Sequence, residues 1–162
     1  MYEATFQEQY LQAAVNLTKA MIEKFRDNKD DGFYQTQNGN PSIPRLKQVY
    51  DGATPSGNSM ALYCLLWIGR LISEPRYEEI ANRMSELFAD EVEAMPQAYT
   101  FFLSALELLL GNSYSVVLVG DLKGEDSQLM LDALRRNYLP TTTVQFKSPK
   151  NADAGYQQID GK

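Results

Sequence analysis

The chain has 162 residues, 21 acidic against 15 basic side chains, a net charge of −6 and no histidine. That length suits one domain, and 44% hydrophobic residues with ten tyrosines exclude general disorder, because enough apolar surface is present to offset chain entropy. The missing histidine excludes Ser-His-Asp and Cys-His catalysis and imidazole zinc sites. The single Cys64 excludes an intrachain disulfide, and scattered Lys and Arg in an acidic chain exclude a nucleic-acid partner.

In chain order, residues 3–27 place Tyr10, Ala14, Leu17, Met21 and Phe25 at three- and four-residue steps, which predicts an amphipathic helix with one wet face. The start "MYEATFQEQY" lacks a basic-then-apolar leader. No apolar run approaches the roughly 20 residues of a membrane span, so a cytoplasmic location with no membrane partner is expected. Residues 28–53 make a connection too long to be idle, with "GFYQT" (32–36) as a short extended piece and turns at "NGNP" (38–41) and "SIP" (42–44).

"GNSMALYCLLWIGRLI" (57–72) and "QAYTFFLSALELLLG" (97–111) are apolar nearly all round and are expected to be covered on most sides, with Cys64 a buried hydrophobe in the first. Each follows a proline, Pro55 or Pro96. Between them, residues 75–93 repeat the wet pattern as Tyr77, Ala81, Met84, Phe88 and Val92, with Pro75 in the first turn. Wet and buried helices therefore alternate, as in a helical array or an α/α toroid whose inner helices need neighbours.

After Gly111 the pattern becomes strand (114–121), helix (125–139) and strand (141–146), a βαβ crossover with two parallel strands. The strand–Gly–helix passage "VVLVGDLKGED" lacks both the dinucleotide and the P-loop glycine fingerprints. The expected fold is mainly α. Residues 1–112 form helical hairpins of a partial α/α toroid, 113–147 a βαβ appendage, and 148–162 a flexible tail.

The passage "DGATPSGNSM" (51–60) gathers Asp51, Thr54, Ser56, Asn58 and Ser59 just before a buried helix. Thr54 with Pro55 fits a cap and first helical residue, and Ser56 or Asn58 are alternative caps. Capping leaves Asp51 and one of Ser56 and Asn58 without a task. An inner-helix N-terminus in a toroid opens on the cavity, where its free N–H groups favour a ligand oxygen.

"DGFYQT", "VYDGATPSGNSMALYCLLWIGRL" with the upstream Arg45-x-Lys47, "PQAYTFFLSALELLLG", "YSVVLVGD" and "YLPTTTV" together resemble the C-terminal part of the YyaL-type family, which includes spermatogenesis-associated protein 20. The resemblance covers nearly the whole chain. It implies a thioredoxin-like domain followed by a helical toroid similar to those of six-hairpin glycosidases and N-acylglucosamine 2-epimerases, of which this chain carries the last hairpins. On that footing the missing N-terminal part is itself a partner, and apolar surface left open invites self-association.

Two functions follow as expectations. One is a carbohydrate-related cavity with Asp51 as the catalytic carboxylate and Ser56, Asn58, Tyr34, Arg45 and Lys47 as ligand-binding residues. Its second carboxylate would be Asp30, Asp31 or Glu107, since glycoside chemistry takes two. Glu107 is alternatively paired with Arg45, Lys47 or Arg70 inside its helix. Phe33, Tyr34, Tyr50, Tyr63 and Trp67 are either a sugar-stacking surface or core. The other function is a non-catalytic structural or interaction domain attached to a thioredoxin-like redox module. Neither calls for a metal or a cofactor.

Overall fold

The computed structural model describes residues 1–37 and 44–149. The turns expected at "NGNP" and "SIP" fall almost wholly outside these residues, as does the tail from residue 150.

Helix α1 (Tyr2–Thr5) is a single turn closed by Phe6 in the left-handed conformation, and α2 (Glu8–Phe25) follows it. The buried stripe of α2 is Leu11, Val15 and Thr18, and Leu17 is 72% exposed. The stripe read from the sequence is thus rotated towards its neighbour. Leu11 and Val15 pack with Leu71, Trp67 and Ile68 of α3 (Gly57–Ile72), whereas Met21 and Phe25 reach the main core only in part.

Helix α3 is the axle of the molecule. Ala61, Leu62, Leu65, Leu66 and Leu71 are each at most 2% exposed, and α2, α4 (Pro75–Leu87) and α6 (Thr100–Leu110) all pack on it. The wet helix expected at 75–93 is two pieces, α4 and α5 (Ala89–Ala94), broken at Phe88, whose ring packs edge-on to Phe102 at 5.9 Å. Its stripe is as expected, with Tyr77, Ala81, Met84, Phe88 and Val92 all buried and Pro75 in the first turn. A 3₁₀ turn at Pro96–Ala98 separates Pro96 from α6.

Helix α6 departs from expectation. Phe102, Ala105 and Leu108 are buried, but Leu103, Glu107 and Leu110 lie on an exposed outer side, because α6 sits at the edge of the bundle. Glu107 is therefore a surface residue. The Arg70 Nη2 group donates to the Leu108 carbonyl rather than to the Glu107 carboxylate.

Strands β1 (Tyr114–Val119) and β2 (Thr142–Lys147) pair in parallel from Tyr114↔Thr142 to Val119↔Lys147, joined by α7 (Glu125–Arg135). This is the crossover read from the sequence. Gln145 donates to the Leu71 carbonyl at 2.8 Å, and the Val144 N–H reaches Glu3 Oε1 at 2.8 Å, so β2 is fastened to α3 and α1. The architecture is mainly helical with a small parallel β unit.

Candidate functional site

Ser56 is the cap of α3. Its hydroxyl accepts the Ser59 N–H at 3.0 Å, which satisfies one of the donors that every helix start leaves free. Thr54 and Pro55 precede the cap and are not the cap pair that the sequence suggested. Ser56 and Ser59 also share a hydroxyl bond of 2.8 Å.

Asp51 caps a different helix. Its Oδ2 accepts the N–H groups of Phe101 and Phe102 at 2.9 Å each, at the start of α6, and its Oδ1 accepts the Ser56 N–H at 2.8 Å. The residue in the cap position of α6, Tyr99, makes no side-chain cap bond, so a carboxylate about fifty positions earlier does that work. The charge also meets the positive end of the α6 dipole. One side chain thereby joins the N-termini of two helices.

Asn58 is 1% exposed and fully engaged. Its Oδ1 accepts the Phe33 N–H at 2.7 Å, and its Nδ2 donates to the carbonyls of Phe33 and Gln48, both at 2.9 Å. Both amide hydrogens are used, and no face of the group meets solvent. Burial and three backbone bonds make it a clamp on the 33–48 connection.

That clamp positions the second group of candidates, since Phe33 and Gln48 are the neighbours of Tyr34 and Lys47. Tyr34 Oη donates to Asp27 Oδ2 at 2.5 Å, and Lys47 Nζ reaches the same oxygen at 2.9 Å and the Asp31 carbonyl at 3.1 Å. The Arg45 guanidinium lies 3.8 Å above the Tyr34 ring and donates to the Thr36 carbonyl at 3.0 Å. Asp31 pairs with Arg26 at 2.8 Å and with Arg83 at 3.1 Å. Tyr34, Arg45 and Lys47 are thus brought together, around Asp27.

The electrostatics follow from these contacts. The Tyr34 hydroxyl, helped by the backbone of Lys29 and by Lys47, overcomes burial and holds the Asp27 carboxyl far below the usual carboxylate range. The same bond pushes the Tyr34 phenol above its ordinary value. Burial works against charge on Asp31, but the hydrogen bonds from Arg26 and Arg83 outweigh it and keep that carboxyl low. Both carboxylates remain charged and spoken for near neutral pH.

Asp27 is the residue that the sequence reading missed. The available signal was local: Asp27 Oδ1 accepts the N–H groups of Lys29 and Asp30 at 3.0 and 3.3 Å, an Asx-type turn announced by "DNKDDG" just past a helix end. Gly32 completes that turn at φ +70, where an added Cβ would stand 2.9 Å from Leu87 Cδ2. The partners in space, Tyr34 and Lys47, carry no sequence signal.

The candidate second carboxylates sit in unlike surroundings. Asp31 is bound by two arginines, while Asp30 and Glu107 are exposed. The aromatic candidates also scatter. Phe33 is core at 4% exposure, Tyr50 meets Tyr99 edge-on, and Tyr63 stacks on Trp67 at 5.5 Å. Among the described residues no three His, Cys, Asp or Glu side chains gather around one ion position, and no helix is long and apolar enough to cross a membrane. Asp51 does line a surface cleft of about 220 Å³ together with Thr54, Thr100, Phe101 and Ser104.

No family model matches the chain. Over 89% of its length it is 25% identical to spermatogenesis-associated protein 20 of Rattus norvegicus and 23% identical to the protein of that name in Homo sapiens. It is 26% identical to an uncharacterised protein of Caenorhabditis elegans. The chain spans about a fifth of the length of these curated relatives. These matches bear out the expected resemblance: the chain is similar to part of spermatogenesis-associated protein 20.

Proposed function

We propose that this chain is a non-catalytic helical module, a structural or interaction part of a longer protein whose resemblance implies a thioredoxin-like domain. One observation carries the reading: Asn58, central to the most distinctive sequence passage, is 1% exposed with its amide committed to the backbone of Phe33 and Gln48. Asp51, Ser56, Tyr34 and Lys47 are likewise engaged in fastening helix ends and the long connection. Polar groups held this way serve the fold first. A cytoplasmic setting goes with this reading.

A carbohydrate role is the second reading, and the cleft beside Asp51 favours it. Hydroxyls of Thr54, Thr100 and Ser104 line that cleft with the carboxylate, a mixture suited to sugar hydroxyl groups. Calorimetric titration of mono- and disaccharides into the wild type, Asp51→Ala and Asn58→Ala decides between them. The structural reading expects no heat of binding in any of the three, with both variants losing stability alone. Saccharide binding that Asp51→Ala abolishes while the protein stays folded overturns it in favour of the second.

A further inference from the structure

Helices α3 and α4 meet in a tight corner that brings unlike charges to one cleft. Ser73 turns the chain in the left-handed conformation at φ 57, and the Glu74 N–H donates to the Gly69 carbonyl at 2.9 Å. The corner depends on glycine, since a Cβ added to Gly69 would stand 3.1 Å from Tyr77 Cβ and 3.3 Å from the Glu74 carbonyl oxygen. Pro75 then starts α4, and Glu78 follows within its first turn. Between this corner and Ser115 of β1 lies a cleft of about 300 Å³, with Leu65 and Leu66 as its apolar lining.

Arg70, in the last turn of α3, belongs to the same lining. Its Nη2 donates to the Leu108 carbonyl at the end of α6, while its Nη1 is buried and has no hydrogen-bond partner among the described residues. Neither Glu74 nor Glu78 pairs with it, the ion pairs of the described residues being those of Arg26, Lys47 and Arg83. A part-buried guanidinium without a counter-ion calls for an anionic acceptor. A simple anion does not answer, because Glu74 and Glu78 line the same cleft and their carboxylates repel it. Glu74 gives one oxygen to the Arg76 N–H at 3.3 Å, and Glu78 is exposed. A ligand that carries both a carboxylate and an ammonium group satisfies both signs.

We infer that this cleft is a binding site for a free α-amino acid with an apolar side chain. The ligand's carboxylate meets the Arg70 guanidinium, its ammonium group meets Glu78, and its side chain lies against Leu65 and Leu66. The volume stands at the small end of the range for ligand sites, about 300–1,000 Å³, which suits one amino acid rather than a peptide. The site shares no lining residue with the cleft beside Asp51, and it is independent of the functional readings above.

Calorimetric titration of leucine into the full chain tests this. Leucine should bind, with isocaproate, which lacks the ammonium group, and isopentylamine, which lacks the carboxylate, each at least about tenfold weaker. Glu78→Gln should weaken leucine at least about tenfold, whereas Glu79→Gln, the same charge change on the next residue of α4, should leave it unchanged. Arg70→Gln should abolish binding while keeping an amide donor for the Leu108 carbonyl. Circular dichroism checks that each variant is folded, and Glu78→Gln, on an exposed residue, decides the matter if Arg70→Gln does not fold. No heat of leucine binding up to about 10 mM, equal binding of either analogue, or indifference to Glu78→Gln overturns the inference.

Discussion

Replacing Asn58 with alanine separates a clamp from a ligand-binding residue. The substitution removes three hydrogen bonds, two of them to the buried backbone of Phe33 and one to the Gln48 carbonyl. Phe33 is 4% exposed, so its freed N–H and carbonyl find no water in the folded state. At about 1–1.3 kcal/mol for each bond, the loss comes to about 3–4 kcal/mol, a large part of the stability of a domain this size. With a urea slope near 2 kcal/mol/M, the midpoint should fall by about 1.5–2 M at unchanged slope. Asn58→Asp sharpens the experiment. It is isosteric and keeps the acceptor for the Phe33 N–H, yet it turns carboxylate oxygen against two carbonyls and buries a charge, so it should destabilise at least as much as alanine. A loss below about 1 kcal/mol for alanine, or any gain in stability, is the behaviour of a residue kept for a ligand and would refute the clamp.

Asp51→Ala should cost about 1–2 kcal/mol and speed amide exchange at Phe101 and Phe102, because α6 loses the carboxylate that caps it; unchanged exchange at these two amides would contradict this. Asp27 has a folded-state pKa below its unfolded value, so its contribution is complete above about pH 4 and drains away as pH falls further. Acid unfolding followed by fluorescence should accordingly become shallower below about pH 4 in Asp27→Asn, and an identical curve would remove Asp27 as the centre of the cluster. Tyr34 runs the opposite way: its folded pKa is raised, so its contribution is present below about pH 10 and lost as pH climbs through the folded value. Ultraviolet titration should therefore show a late-ionising phenol that Asp27→Asn returns to normal. Burial also pushes the Cys64 thiol up, so an aromatic disulfide reagent should label it slowly in the native protein and fast in urea.

Much of this molecule is legible in one dimension. Helix α3 emerges over residues 57–72, as expected, because an unbroken apolar run behind a Ser-Gly start has no other way to satisfy its backbone while shedding water. The βαβ crossover is equally plain, since six-residue strands and a polar-faced helix between glycines leave parallel pairing as the connection. Edges were the weak point. Leu17 and Glu107 were misplaced because an apolar periodicity says which residues resemble one another, and only the neighbouring element says how much of that face is covered.

The passage at 51–60 shows the same division more sharply. Composition and order alone determined that polar groups collect at the start of a buried helix, that no histidine and no intrachain disulfide take part within this sequence, and that a long connection carries something worth holding. Tertiary structure decided what each group does: Asp51 reaches α6, Asn58 reaches Phe33 and Gln48, and Asp27, ordinary in sequence, becomes the centre that Tyr34 and Lys47 share. The physical reason is range. Hydrophobic periodicity and caps are written within a turn or two of chain, whereas a hydrogen bond between residues twenty-five or fifty positions apart exists only once the helices that bring them together have packed.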